Sequence, residues 1–278
     1  MEMEQLRGKT ALVTGASGGI GRRIAHRLAK EGTNVAVSGR REEALAEAVG
    51  ELRELGVEAE AIAADLGDLS QVDPLVERCE AALGPIDVLV NNAGLEGVGA
   101  FTAYSREELT SMVDVNLTAP LLLAHRVVPG MLERGRGHVV FVASLAGKVG
   151  PAYNEPYAAT KAGLVGLNQS LRAEYRHAPI GFSVVCPGFV AGDGMFQRMA
   201  DEGARSNPVL GETPIDKVAE RVVEAIREDR PETIESGAPV RPLLALGQIS
   251  PRLAEWLVER FGATEMFRRV AASRDRVG

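Results

Sequence analysis

Tyr157 and Lys161 stand four positions apart at the start of an apolar, helix-forming run, Ala158 to Leu171. That spacing places both side chains on one helical face, a single turn apart. A tyrosine of ordinary pKa, about 10, is a poor acid or base near neutrality. An ammonium group beside it stabilises the phenolate, and the positive end of the helix dipole acts in the same direction. The pair is therefore expected to bring the tyrosine pKa toward the working range, which suits proton transfer at an oxygen. A half-buried tyrosine next to a solvated lysine would show the same spacing, but lysine is scarce in this chain, which weighs for chemistry. Ser144 ends an apolar run, Val139 to Ala143, and can offer a second hydroxyl to the same oxygen or simply cap a turn.

A second constellation suits phosphate. Thr14-Gly15-Ala16-Ser17-Gly18-Gly19-Ile20-Gly21 directly follows the β-branched run Thr10 to Thr14 and opens a helical stretch. Glycines there allow a tight turn and let backbone N–H groups approach a pyrophosphate at a helix N-terminus. In a chain with 31 glycines the spacing alone is weak, and its place at the first strand-to-helix junction gives it weight. The position that reads the ribose, about 20 residues further on, falls at Ser38-Gly39-Arg40-Arg41. An acid there would bind the 2′-hydroxyl of NAD and repel a 2′-phosphate. Gly39 takes its place, and Arg40 and Arg41 offer guanidinium groups that bind a phosphate through paired hydrogen bonds. NADP(H) is the expected cofactor, with NAD possible. The two arginines could also merely charge a helix start, although that end of the dipole disfavours them.

These residues need a sheet to hold them. Expected strands are Thr10–Thr14, Val35–Val37, Glu58–Ala63, Ile86–Val90, Val139–Ala143 and Phe182–Val185, alternating with helical stretches such as Ile20–Glu31 and Arg41–Leu55. Strand, helix, strand units in series build a doubly wound parallel α/β sheet through right-handed crossovers. Beyond about residue 205 prolines space out short elements, among them Pro208, Pro214, Pro231, Pro239, Pro242 and Pro251. A hydrophobic content of 45% fills a large core, and 278 residues fit one catalytic domain, 1–240, with a helical extension, 241–278. A net charge of −7 is the wrong sign for a nucleic-acid surface. Cys79 and Cys186 form no CxxC, and the four histidines form no paired spacing, so no metal site is expected. The acidic start, Met1-Glu2-Met3-Glu4, and the lack of an apolar run near 18 residues point to a cytoplasmic protein without membrane association.

Taken together, the motifs resemble the short-chain dehydrogenase/reductase family, in its single-domain branch, from about residue 6 to 236. Thr14-Gly15-x-x-x-Gly19-x-Gly21 looks like the family's cofactor turn, Asp65-Leu66 like its adenine contact, and Asn91-Asn92-Ala93-Gly94 like the motif after its fourth strand. Asn116, Ser144, Tyr157 and Lys161 fall where the family has its catalytic tetrad, and Pro187-Gly188 matches the turn after the sixth strand. One departure is plain. The family often has a threonine three or four residues after Pro-Gly, touching the nicotinamide carboxamide, whereas Ala191, Gly192 and Asp193 follow Val190 here.

The resemblance implies a Rossmann-type sheet of seven parallel strands. It also implies NADP(H)-dependent interconversion of a carbonyl and a secondary alcohol. Gly15, Ser17, Gly19, Ile20, Gly21, Arg40, Arg41, Asp65, Leu66, Asn92, Ala93, Gly94, Pro187, Gly188 and Val190 would hold the cofactor together with Tyr157 and Lys161. Tyr157 would donate the proton, Ser144 would bind the substrate oxygen, Lys161 would lower the tyrosine pKa, and Asn116 would hold a water linking Lys161 to solvent. Leu95, Glu96, Leu145, Val149 to Tyr153, Phe189, Met195, Phe196 and Met199 would line a mostly apolar pocket for a hydrophobic ketone or 3-oxoacyl chain. The last three suggest a mobile lid or an ordinary core helix. The rival from another class is a catalytically silent NAD(P)-binding sensor or scaffold. A nucleotide-sugar epimerase shares the Tyr-x-x-x-Lys pair but usually has another glycine spacing and a larger second domain. A homodimer or homotetramer is the expected assembly. The stretch Arg241 to Gly278 carries seven arginines against four acids. Within it Ser250 can cap a helix in which Leu253, Trp256, Leu257 and Phe261 share a face, and Thr264 can cap another with Met266, Phe267 and Val270 inward. These faces must bury against the body, a second subunit or an anionic membrane surface, and the dispersed arginines favour the body or a subunit.

Overall fold

The computed structural model describes residues 6–192, 211–260 and 263–274. The β-branched runs become strands: β1 (Thr10–Thr14), β2 (Asn34–Gly39), β3 (Ala59–Ala63), β4 (Val88–Asn91), β5 (His138–Val142), β6 (Gly181–Pro187) and β7 (Glu232–Glu235). All pair in parallel in one sheet of order β3-β2-β1-β4-β5-β6-β7. β1, β4, β5 and β6 are buried along their whole length, because helices cover both faces. α1 (Gly19–Lys30), α2 (Glu42–Glu54) and α8 (Ile215–Arg227) pack on one face around Ile24, Leu28, Leu45, Val222 and Ile226. α3 (Val72–Leu83), α5 (Ala119–Glu133) and α7 (Glu155–Glu174) pack on the other around Leu75, Leu123, Met131, Phe141 and Leu164. The strand order reverses between β1 and β4, which opens a crevice at the carboxyl edge of the sheet.

Strand ends differ from the sequence pattern by a residue or two, for local reasons. β4 starts at Val88 rather than Ile86 because Asp87 serves as an anchor, accepting hydrogen bonds from Arg136 Nε at 2.9 Å and the Thr10 backbone N–H at 3.3 Å. β7, Glu-Thr-Ile-Glu, is half polar and gave no apolar signal. Its Glu235 is buried yet paired with Arg221 at 2.8 Å and Lys217 at 3.1 Å. α4 (Arg106–Val113), a π turn (Asp114–Thr118) and α5 run on as one helix that by length and composition could cross a bilayer. Its α5 part buries Leu123, Val127 and Met131 against the sheet, as a core helix does.

Three helices follow the sheet: α9 (Arg241–Ile249), α10 (Pro251–Arg260) and α11 (Ala263–Ser273). Pro242 lies in the first turn of α9, where its missing N–H costs nothing, so it starts a helix instead of breaking one. The expected inward face of α10 is not found at Trp256, which is 57% exposed, because α10 leans on α9 and α11 rather than on the sheet. Leu253 is partly buried, and the side chains of Leu257 and Phe261 lie outside the described residues, as do Asp193, Met195, Phe196 and Met199. In α11, Met266, Phe267 and Val270 are buried.

One core group makes stability depend on pH. His138 is fully buried with Nε2 2.8 Å from Ser183 Oγ, which itself donates to the Arg230 carbonyl at 2.6 Å. Burial pushes the His138 pKa down to about 4. Between about 4 and the unfolded value near 6.5 the unfolded chain binds more protons, so this stability is complete above 6.5 and lost as pH falls toward 4. Urea unfolding at pH 7 and pH 4.5 should show a loss in the wild type larger by about 2 to 3 kcal/mol than in His138→Gln. Equal losses in the two proteins would show that His138 is not responsible.

Candidate active site

The turn after β1 is built on close approach. Gly15 has φ of +67°, and a Cβ there would stand 2.7 Å from Ala93 Cα. A Cβ at Gly21 would collide with the Gly15 carbonyl and the Asn92 amide. Thr14 Oγ1 accepts from the backbone N–H groups of Asn92 (3.0 Å) and Ala93 (3.1 Å) and donates to the Val90 carbonyl (3.4 Å). In return Asn92 Nδ2 donates to the carbonyls of Thr14 (2.9 Å) and Gly15 (3.3 Å). The loops after β1 and β4 are thus clasped at the point where the sheet order reverses.

Beside this clasp, Gly19 also has positive φ, and Ile20 packs against the core. Gly39 faces the Ser17 side chain at contact distance, and Arg40 and Arg41 follow it, both exposed. Arg41 Nη2 donates to the Ser17 carbonyl at 2.7 Å, which ties the end of β2 to the glycine turn. Asp65 is exposed and accepts from the Gly67 N–H at 3.0 Å, while its neighbour Leu66 is buried. Pro187 and Gly188 are fixed by backbone bonds: Leu145 N to the Pro187 carbonyl and Gly188 N to the Glu235 carbonyl, each 2.8 Å. Val190 and Ala191 pair with Thr213 and Pro214 in a short parallel bridge.

The other four candidates meet on the opposite wall of the crevice. Lys161 is buried, and its Nζ donates to the Val142 carbonyl at 2.9 Å and lies 5.6 Å from the centre of the Tyr157 ring. Ser144 Oγ accepts from the Ala146 N–H at 3.1 Å and lies near enough to the Tyr157 hydroxyl to pull its pKa down. Asn116 sits in the π turn, a distortion common at functional positions. Its Oδ1 accepts from Leu95 N at 2.7 Å, and its Nδ2 donates to the Leu95 carbonyl at 2.9 Å and to Thr160 Oγ1 at 3.2 Å. Both amide hydrogens and the amide oxygen therefore have protein partners, and the side chain braces the β4 loop against α7. A Cβ at Gly94 would stand 3.4 Å from Asn116 Oδ1 and 3.5 Å from Lys161 Nζ.

The electrostatics correct one expectation. Tyr157 is not brought toward neutrality: burial pushes its pKa up to about 12, with the Ser144 hydrogen bond pulling the other way and the Glu96 and Cys186 charges adding to the rise. Burial also pushes Lys161 down to about 8. Desolvation is the largest cause of both shifts. Sequence reasoning missed two contributors. Thr160 links Asn116 to the Tyr157 carbonyl (2.7 Å), and Gly147 (in α6, Ala146–Val149) lets that helix lie on the Lys161 backbone, while Glu96, expected in the pocket, is felt at the tyrosine. Only Thr160 carried a signal, a hydroxyl one position before the lysine.

The sequence pattern of the short chain dehydrogenases matches residues 9–203. The chain belongs to that family. It is 38% identical over 281 residues to the ketoacyl reductase HetN of Nostoc sp. (strain PCC 7120), covering 99% of this chain and 97% of the relative. A crystal structure of a variant actinorhodin polyketide ketoreductase with NADPH is 34% identical, with a TM-score of 0.75, covering 84% of this chain and 97% of that one. A short-chain dehydrogenase/reductase from Burkholderia phymatum in complex with NAD is 27% identical, with a TM-score of 0.79, over 90% and 96% of the two chains. The fold, strand order and crevice described above are those of a short-chain dehydrogenase.

The clasp can be tested on its own. Thr14→Val keeps the shape of the side chain but leaves the N–H groups of Asn92 and Ala93 without their acceptor, a cost of about 1 to 3 kcal/mol. Urea unfolding should show that loss, and NADPH titration should show at least about tenfold weaker binding. Unchanged affinity would mean that the clasp does not shape the turn.

Proposed function

We propose that this short-chain dehydrogenase is an NADP(H)-dependent reductase interconverting a carbonyl and a secondary alcohol on a largely hydrophobic substrate, a ketone or 3-oxoacyl compound. The observation that carries this reading is the half-buried Tyr157 beside Ser144, with Lys161 on the same helical face and its Nζ 5.6 Å from the ring centre, at the edge of the sheet where the glycine turn opens. The ketoacyl reductase name of a relative aligned over nearly the whole chain supports the substrate class.

The residues present fit a dinucleotide. Gly15 and Gly21 let the turn after β1 close tightly at the start of α1, where a Cβ would strike backbone, and Arg40 and Arg41 stand exposed beyond Gly39 with no acid at the ribose position. Buried hydroxyls of Ser38, at the end of β2, and Thr213, beside Val190, have no partner among the described residues and suit a polar ligand along this edge. Thr213 stands beside the segment where the family often has its carboxamide-binding threonine. The dinucleotide, when bound, supplies the hydride.

For reduction the chain must place the carbonyl oxygen, stabilise the charge that develops on it and deliver a proton. The Ser144 and Tyr157 side chains are neighbours, so one substrate oxygen can accept from both. At pH 7 a phenol with a pKa near 12 is fully protonated and is ready to donate. As the proton leaves, the Lys161 ammonium on the same face offsets the negative charge on the phenolate oxygen. Its bond to Val142 keeps it in place. A silent sensor would have no use for this arrangement, and steady oxidation of NADPH with a carbonyl panel separates the two readings.

The assignment of residues 1–240 as the catalytic domain and 241–278 as a helical extension belongs to the same proposal. So do a cytoplasmic location, which two buried free cysteines support, and a homodimer or homotetramer, which the exposed Leu246, Ile249 and Trp256 support.

Tyr157→Phe should bind NADPH within a few-fold of wild type and lose at least about a thousandfold in turnover, by the scale of general acid catalysis. Unchanged turnover would sink the mechanism. The wild type should bind NADPH at least about tenfold more tightly than NADH, since one or two charge-assisted contacts are worth about 1.5 to 3 kcal/mol each. An Arg40→Ala, Arg41→Ala protein should lose most of that preference. Equal binding by the wild type would remove the arginines from the site.

A further inference from the structure

Three loops leave the carboxyl edge of the sheet around Tyr157, and α11 touches all of them. Its Met266, Phe267, Val270 and Ala271 bury against Val98 from the loop after β4, Tyr153 from the stretch before α7, and Phe189 from the turn after β6. The rings of Phe189 and Phe267 lie 6.5 Å apart at 40°. Just past the helix, Arg274 Nη2 donates to Glu96 Oε1 at 2.7 Å, with both side chains largely shielded from solvent. Glu96 is two residues beyond Gly94, which lies against Lys161 Nζ, and its charge reaches the Tyr157 hydroxyl. The contact surface of α11 is therefore the wall of the substrate site and not a remote patch.

The platform under α11 is stiff. Tyr153 has φ of +62°, a conformation that residues other than glycine rarely adopt and that persists where surrounding bonds impose it. Its N–H donates to Glu155 Oε1 at 2.9 Å, its carbonyl accepts from Gly99 N at 2.9 Å, and the neighbouring Asn154 amide donates to the Gly97 carbonyl. The four inward side chains of α11 are at most 7% exposed. A helix that offered its apolar face to a substrate would leave carbon surface open toward the cleft. This one fills the space with its own side chains.

We propose that α11 is a stop at the far end of the substrate site, fastened by the Arg274–Glu96 ion pair, and that Phe267 and Arg274 determine specificity by limiting substrate length. The proposal rests on the carbonyl-reductase reading above and adds a substrate class to it: short carbonyl compounds reach Tyr157 with α11 in place, and long ones must displace it.

The test uses the full chain as wild type, Arg274→Ala and Phe267→Ala. NADPH-dependent reduction of the N-acetylcysteamine thioesters of 3-oxobutanoate and 3-oxodecanoate gives kcat and KM for a short and a long probe. The ratio of the two kcat/KM values is internal to each protein, so any loss of folded enzyme cancels. Both variants should raise the long-to-short ratio at least about fivefold, chiefly through a lower KM for the long probe, a size in keeping with the worth of small steric changes in a pocket. Adding Glu96→Gln to Arg274→Ala should move the ratio no further, because the two residues act through one contact. An unchanged ratio in both variants, or a ratio that falls because α11 was supplying contacts to the long chain, would overturn the stop while leaving the reductase reading intact. Failure of the wild type to reduce either probe or any member of a ketone panel would overturn that reading and the inference with it.

Discussion

The Thr14 hydroxyl takes two peptide N–H groups from the loop after β4, and the Asn92 amide returns two hydrogen bonds to the turn after β1. Everything at the carboxyl edge depends on this exchange. A parallel sheet buried on both faces leaves its strand ends as the places where loops can face a ligand, and the reversal of strand order keeps two adjacent loops apart. Left alone, those loops would be free to drift. The clasp fixes their separation and forces glycine at positions 15 and 21, since a Cβ at either would strike the partner loop. From Gly94 the same loop passes to Asn116, whose amide carries the connection to Thr160 and so to the helix bearing Tyr157 and Lys161. The glycine turn and the helix of Tyr157 are thus held by one chain of hydrogen bonds.

That rigidity has an electrostatic consequence. Lys161 is buried and Tyr157 half-buried, and each is pushed toward its neutral form: the phenol up to about 12, the ammonium down to about 8. The two shifts make opposite demands on a mechanism. A neutral phenol is what a proton donor must be, whereas a lysine near 8 is charged at neutrality with little margin. The site is therefore poised for carbonyl reduction rather than for a standing phenolate. Glu96 adds to the tyrosine shift, and its pairing with Arg274 links the helix at the far end of the site to the charge balance at the centre.

Much of this was legible in the sequence because the features were repetitive or locally forced. β1 reads as Val and Leu between threonines and becomes a strand with the expected bounds, and the other five apolar runs appear in the sheet with their ends moved by one or two residues. The glycine turn, Tyr157 and Lys161 were found by spacing, Ser144 by its place at a strand end, and Asn92 by the family resemblance. β7 was not read from its own residues, since burial of Glu235 depends on Arg221 and Lys217, which arrive from another element. The π turn at Asn116 and the left-handed Tyr153 leave no mark in residue type. The direction of the Tyr157 shift was misjudged because spacing reveals the neighbouring ammonium but not the depth of burial, which dominates. Trp256 was expected to be inward from helical periodicity, and its exposure follows from where α10 lies, a tertiary matter.

The central claim is that a protonated Tyr157 donates the proton and that Lys161 must be charged beside it. The pH dependence of kcat/KM for NADPH-dependent reduction of one ketone, from pH 6 to 10, tests this directly. Such a profile reports the tyrosine–lysine pair as a unit. Reduction should be level from pH 6 to about 8 and fall above that as Lys161 loses its proton, since the active form carries both protons. A rate that climbs steadily from pH 6 to 8 would mean that the reaction needs a phenolate, and would contradict the account.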